Sequence, residues 1–388
     1  MTPTTTLSVL SLVAATGAPA PQATSIPSVV VRVENAQPEL GTFLTPPWIA
    51  IHDGTFDSYD GGMPANVPLG GNEIEALAED GNNGPISATF ASLLPNAPQV
   101  TALTGPVGPL APGSFATVTL NVDPTVDRYF SYASMVIPSN DAFIANGNPV
   151  AHELFDGSGN FVGQGFVVSG DETNDAGTEV NDEVSQNVAF LGQAGPNIGV
   201  TENGLVLTPS PGFASAGSLA FPDGVLNHPA FSNGDFNDED DRLFAVSFRY
   251  VDLGGPVRFL SNLTNAQEVQ ADVVSTGATG TGLLFANNGT GVNLNVFQTG
   301  LSGPITAAHL HLGQRGTNGD VIVDLGAGIV ANGAAVRFQI DASSLTGPLD
   351  GADFVEFLNE LAAGNVYINL HTDLFPEGEL RGQVALAN

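Results

Sequence analysis

TGLSGPITAAHLHLGQRGTNGDVIVDL, residues 299–325, decides how the C-terminal part of this chain reads. An apolar strand runs into a Gly-rich turn, and DVIVDL follows as a second apolar strand. His309 and His311 are two of only 6 histidines in 388 residues. Their i, i+2 spacing puts both imidazoles on one side of a sheet, because alternate residues of a strand face the same way. A third imidazole, His371, opens HTDLFPEGELRGQV (371–384), a further strand-like segment. Three imidazoles on neighbouring strands make a donor set for copper or zinc. Glu379 is a candidate carboxylate ligand, or an acceptor behind the histidines. Arg381 follows two residues later on the same side, placed to pair with it. The alternative for the same residues is structural, with the histidines bonded to nearby turns and to Glu377 or Glu379.

Working outward, VRFLSNLT (257–264), TGTGLLFAN (279–287), GVNLNVFQTGL (291–301), AAVRFQID (334–341) and NVYINLHT (365–372) read as strands. One strand every ten or so residues is the spacing of an antiparallel barrel or sandwich. Only DGADFVEFLNELAAG (350–364) reads as a helix, with Asp350 as its cap and Gly364 as its end. The signatures LTNAQEV, TAAHLHLGQRGTNGDVIVDL and NVYINLHTDLFPEGELRGQV resemble the CHRD domain family, named for chordin, over about residues 256–388. The resemblance implies an extracellular, β-rich module.

Gly254-Gly255-Pro256 marks a boundary, and a second β-rich unit precedes it over about residues 26–252. SVVVRVENA (28–36), FATVTLNVDP (115–124), RYFSYASMVIPSNDAF (128–143) and LFAVSFRYVDL (243–253) read as strands, and EIEALAED (73–80) as a short helix. The fold class expected for the whole chain is all-β. Two antiparallel sandwich or barrel domains are expected, with one short helix in the second.

The order TPPWIAIHDG, YASMVIPSNDAFIAN, NDAGTEVND and RLFAVSFRYV resembles the spondin N-terminal domain family, found in matrix proteins and in bacterial exported proteins. That resemblance implies a calcium ion at one end of a β-sandwich, held by Asp141, Asp175 and Glu179. Glu179 stands where the family pattern has Asp, and calcium accepts either carboxylate. The residues by themselves point the same way. DETNDAGTEVNDE (171–183) is dense in carboxylates that repel one another unless a divalent cation joins them. A second acidic run, SNGDFNDEDDRLF (232–244), offers Asp235, Asn237 and Glu239 but reads as a solvated turn. His52, His152 and His228 read as packed or surface residues rather than ligands.

Charge is the unusual part of the composition. There are 40 acidic residues against 8 basic ones, for a net charge of -32, and every basic residue is Arg. Such a chain repels nucleic acid and anionic lipid and attracts cations. Cysteine is absent, which removes disulfides, thiol catalysis and thiolate metal sites. No run of about 18 apolar residues is present to span a bilayer. LSVLSLVAATGAPAPQA near the start has the apolar run and small-residue tail of an export signal, and residues 1–25 read as a leader. If retained, residues 7–15 form an uncharged β-prone segment able to join a neighbour's sheet edge. No catalytic fingerprint is found, so an enzyme is not expected. The expected function is that of an exported, calcium-stabilised structural or adhesion protein at the cell surface, in the periplasm or outside the cell. Its partner would be a surface protein, a glycan or a second copy of itself. A copper- or zinc-binding exported protein and a self-assembling filament subunit are the alternatives.

Overall fold

The computed structural model describes residues 25–106, 108–189, 191–213, 224–270, 275–326 and 336–387. The expected leader lies outside the described residues. Three antiparallel sheets carry the described chain. A four-stranded sheet has the order Phe115–Asn121, Pro27–Asn35, Arg242–Asp252, Phe166–Ser169. A seven-stranded sheet is centred on Tyr129–Ile137, flanked by Ala142–Ala145 and Trp48–His52. The two face each other across one apolar core. Val29, Val31 and Val33 enter it from the first sheet, and Ile49, Ile51 and Phe130 from the second.

The third sheet has eight strands. Its order is Val321–Asp324, Ile305–Leu312, Val366–Thr372, Phe375–Leu386, Val257–Thr264, Thr279–Ala286, Val292–Thr299 and Val336–Ile340. Alternation of buried and exposed positions marks Val257–Thr264 and Val292–Thr299, while Val366–Thr372 is buried throughout. In Val257–Thr264 the residues Val257, Phe259, Ser261 and Leu263 are buried while the residues between them are exposed or half-buried. The mostly-β expectation is met.

Helix α1 (Glu73–Asp80) and helix α2 (Gly84–Leu93) belong to the first unit, and helix α3 (Phe354–Ala363) to the second. α2 is not legible as a helix in the sequence, because GPISATFASL is poor in strong helix formers. Its Pro falls at the start, where a missing N–H costs nothing. Ile86 and Phe90 then anchor it, with Phe90 edge-on to Trp48 at 5.4 Å. α3 carries Phe354, Phe357, Leu358, Leu361 and Ala362 on its buried face, the three-and-four spacing of an amphipathic helix. Its cap is Asp353, which accepts the Val355 N–H at 3.0 Å, and not Asp350 as expected. Asp350 instead closes the preceding 3-10 turn, Gly347–Leu349. Gly364 ends α3 with φ 78, a left-handed conformation that suits glycine.

α3 also joins the two units. Thr119 donates to the Asn359 carbonyl at 2.8 Å, and the Asn365 amide donates to the Thr117 carbonyl at 3.2 Å. Val30 points away from its own sandwich and into the core of the C-terminal unit. The run of three valines at 29–31 is thus buried on both faces.

Phe357 is fully buried in the core of the second unit. Phe357→Ala should cost about 3–5 kcal/mol of stability in urea unfolding, the usual range for an unfilled aromatic cavity. A loss under ~1 kcal/mol would contradict the packing described.

Candidate metal centre

The pairing of Ile305–Leu312 with Val366–Thr372 builds this site. Its register sets His309 opposite Asn369, His311 opposite Tyr367 and Ala307 opposite His371. Directly opposed residues share a face, so His309, His311, Tyr367, Asn369 and His371 form one polar surface. The other surface carries Ala308, Leu310, Ile368 and Leu370, all fully buried in the apolar core. The apolar face fixes the register, and the register brings the imidazoles together.

The convergence is close. His309 Nδ1 and His371 Nε2 are 3.2 Å apart, and one nitrogen from each of the three rings lies within 4.8 Å of the others. Two nitrogens bound to a tetrahedral zinc at 2.0–2.1 Å stand about 3.3 Å apart, so the closer pair already has ligand spacing. Among the described residues this is the only group of three or more His, Cys, Asp or Glu side chains that converges in this way.

Backbone carbonyls set the tautomers. His311 Nδ1 lies 2.9 Å from the Gly319 carbonyl oxygen, and His371 Nδ1 lies 2.9 Å from that of Pro376. A carbonyl only accepts, so each Nδ1 carries the proton and each Nε2 keeps its lone pair. His311 Nε2 is buried with no hydrogen-bond partner among the described residues. Burial is the main cause that lowers the pKa of His311 and of His371, opposed by the bonds to Gly319 and Pro376. Both rings are therefore neutral at neutral pH, as metal ligands must be. Three imidazole nitrogens with no carboxylate in the group suit zinc or copper, and do not suit calcium or magnesium.

The loop after the first strand holds the arrangement. A side chain at Gly319 would place its Cβ 1.6 Å from the Leu312 carbonyl oxygen, so only glycine fits where the Gly319 carbonyl reaches His311. Tyr367 stacks on His311, with centroids 4.8 Å apart and planes at 6°. Arg381 lies over the Tyr367 ring, 3.6 Å from its centroid. The guanidinium of Arg381 also donates to the carbonyls of Gln314 at 3.2 Å and Thr317 at 2.6 Å, and to Asn318 Oδ1 at 3.1 Å. It thereby ties down the loop that orients His311.

Glu379 is placed otherwise than the sequence suggests. It is fully buried, and it accepts bonds from the Ser302 N–H (2.9 Å), the Ser302 hydroxyl (2.7 Å) and the Thr372 hydroxyl (2.8 Å). It makes no hydrogen bond or ion pair with the histidines and no ion pair with Arg381. A register shift between Leu370 and Thr372 carries it past the imidazoles to the neighbouring turn. Tyr367, Gly319 and Glu268 are the site residues that sequence reasoning missed. Glu268 is buried, and desolvation pushes it up to about 7 against the pull of Arg381. LTNAQEV was its only signal, and that segment carries no chemistry of its own.

The carboxylates of the first unit are also brought together, with a different geometry. Asp141, Asp175 and Glu179 are all buried. Asp141 Oδ2 accepts the N–H groups of Thr178 (2.8 Å) and Glu179 (3.0 Å), while its Oδ1 is buried without a partner. Asp175 accepts the Gly177 N–H at 2.8 Å and the Asn181 amide. Glu179 Oε2 has no partner either. Glu79 of α1 joins them, unforeseen in the sequence. Burial first, and neighbouring carboxylates second, push Glu179 up to about 8 and Asp141 up to about 6. Burial likewise takes Glu79 up to about 7, and the Thr178 hydroxyl opposes it.

The remaining histidines are packed, as expected. His52 bonds to the Ser131 hydroxyl at 2.9 Å, His152 stacks on Phe166 at 3.7 Å, and His228 accepts the Ala230 N–H at 3.1 Å. The turn holding Asp235, Asn237 and Glu239 is largely solvated around a buried Phe236.

Residues 259–384 match the family model of the CHRD domain, about a third of the chain. That match points to an extracellular-type binding module. No curated protein and no solved structure matches the chain. No helix of the described residues is long and apolar enough to cross a membrane.

The carbonyl contacts can be tested in the metal-free protein. Long-range proton–nitrogen spectra at neutral pH should show His311 and His371 with the proton on Nδ1. A proton on Nε2 of either ring would refute the arrangement.

Proposed function

We propose that the chain is an exported two-module binding protein whose C-terminal module holds a zinc or copper ion on His309, His311 and His371. The observation that carries this reading is the convergence of three imidazole nitrogens: carbonyls lock two rings with the proton on Nδ1, and of their two Nε2 atoms that of His311 has no partner while that of His371 meets His309 Nδ1 at 3.2 Å. Bound there, the metal would supply a fourth, exchangeable position, to which a partner or substrate group could bind. The protein's own part is to bring three imidazole donors within 4.8 Å of one another, with Tyr367 and Arg381 fixing His311. The role proposed is binding rather than catalysis.

Purification without chelator, followed by metal analysis and competition titration with Zn²⁺ and Cu²⁺, tests this. The wild type should bind one equivalent of one of these ions. His311→Ala and His371→Ala should each weaken binding by roughly a hundredfold or more, and Tyr367→Leu by roughly tenfold. A wild type that takes up neither ion would sink the proposal.

A second reading concerns the first unit, for which the spondin-type resemblance suggests a calcium-stabilised adhesion module. Two observations favour a cation there: buried Asp141 and Glu179 each keep an oxygen without a hydrogen bond, and like charges surround both. The sign with pH follows from the raised pKa values. Between the ordinary value of 4.5 and the folded value of about 8, Glu179 holds its proton in the folded protein but not in the unfolded chain. Asp141 behaves likewise between 3.8 and about 6. The ion-free protein should therefore lose stability as pH rises through this window. Calcium takes the place of those protons, so its effect on Tm should grow from pH 5 to pH 8, both ends chosen from that window. A melting temperature at pH 8 that is identical in calcium and in chelator would count against this second ion.

A further inference from the structure

A cleft of about 340 Å³ lies where the outer face of the four-stranded sheet meets α3 and the loop after Leu312. It is lined in part by Arg32, Arg249 and Arg315. These are three of the 8 basic residues in a chain with 40 acidic ones, yet no Asp or Glu lines the cleft. Two of the three come from the sheet. Arg32 opposes Ser247 and Val30 opposes Arg249, which makes the two arginines diagonal neighbours on adjacent strands. Arg315 comes from the other unit. Each guanidinium stays charged at any ordinary pH.

Like charges set side by side destabilise a sheet surface unless something answers them. Internal partners answer them only in part. Arg32 reaches Glu34 at 2.5 Å, but both side chains are more than 30% exposed (40% and 33%) and such a pair is worth little. Arg249 spends one nitrogen on the Ala387 carbonyl at 3.1 Å. Arg315 makes no hydrogen bond or ion pair among the described residues and is exposed. The rest of the lining is neutral. Thr117, Ser247 and Gln314 offer hydroxyl and amide groups, and Phe115 offers an apolar ring under the Arg32 guanidinium at 4.1 Å.

We propose that this cleft binds an acidic saccharide through its carboxylate or sulfate group. Guanidinium forks match the planar or tetrahedral oxygens of those groups, and charge-assisted bonds of this kind are the strong ones. The neutral hydroxyl and amide groups answer sugar hydroxyls, and the Phe115 ring steadies the Arg32 guanidinium that lies over it. The volume falls within the roughly 300–1,000 Å³ of small-molecule clefts. A chain of net charge -32 repels anions at long range, so selection for an anion must be made at short range, inside this cleft.

Calorimetric titration of the full chain tests the proposal. The probes are trigalacturonate for the carboxylate, a sulfated chondroitin tetrasaccharide for the sulfate, and cellotriose as a neutral control. At least one acidic probe should bind saturably, and cellotriose should not. Arg315→Gln removes an exposed side chain with no described partner, so it should leave the thermal melt unchanged. It should weaken binding by roughly ten- to hundredfold, the worth of one charge-assisted contact. Arg249→Gln should act in the same direction. Carboxylate-only or sulfate-only binding identifies the group recognised. Failure of both acidic probes to bind, equal binding of cellotriose, or affinity unchanged in both variants overturns the proposal. If the arginines serve only to complement the carbonyl end of α3, the variants lower the melting temperature and no probe binds.

Discussion

The antiparallel pairing of Ile305–Leu312 with Val366–Thr372 is the interaction on which the C-terminal unit depends. Its apolar face is fully buried, with Leu310, Ile368 and Leu370 packed against the core under α3. A slip of one residue would turn those side chains outward and cost several buried apolar groups at about 1.5–3 kcal/mol each. That cost holds the register. The same register places three imidazoles, an aromatic ring and an amide side by side on the opposite face. The candidate centre is therefore a consequence of core packing, and its precision is inherited from it.

The second constraint is charge. A chain of net charge -32 with 8 arginines has few cations to place. Arg381 is buried among carbonyls and over the Tyr367 ring, where it holds the loop around His311. Arg32, Arg249 and Arg315 gather at the junction of the two units. None of the four answers the buried carboxylates Glu79, Asp141, Asp175 and Glu179. Glu79, Asp141 and Glu179 hold their protons more tightly, because burial first and neighbouring carboxylates second disfavour the charged form. The two units thus use polar burial differently. One surrounds neutral nitrogens with fixed carbonyl acceptors, and the other gathers acids around unanswered oxygens.

The two units also share structure rather than sitting as beads on a string. The outer face of the first sheet receives α3, and Val30 of the first sheet enters the second core. The cleft lined by three arginines exists only because these surfaces meet. Its loop, Gln314 to Gly319, also carries the carbonyl that fixes the tautomer of His311.

Much of this was legible in the sequence, because local periodicity reports it. The alternation in VRFLSNLT and VNLNVF, the valine run at 29–31 and the three-and-four spacing in FVEFLNELAA each follow from one face being buried. His309 and His311 on one strand face follow from the same rule, and the acidic character of residues 171–183 is written in their composition. α2 was not legible, since GPISATFASL is helical only because Ile86 and Phe90 find a core to enter. The true cap of α3, three residues beyond Asp350, depended on where the preceding 3-10 turn closed. Which side chains meet was decided by tertiary structure alone. Glu379 was carried to Ser302 and Thr372 by a register shift that no pattern in the sequence announces. Glu79 joined its site from a distant segment, while Tyr367 met His311 across the strand pair and Gly319 met it by the closing of the turn that follows. The three arginines converged across 283 residues (Arg32 to Arg315), by packing that sequence spacing does not encode. Sequence determined the elements and their buried faces, because those depend on neighbours a few residues away. The sites needed the fold, because the groups that complete them are neighbours only in space.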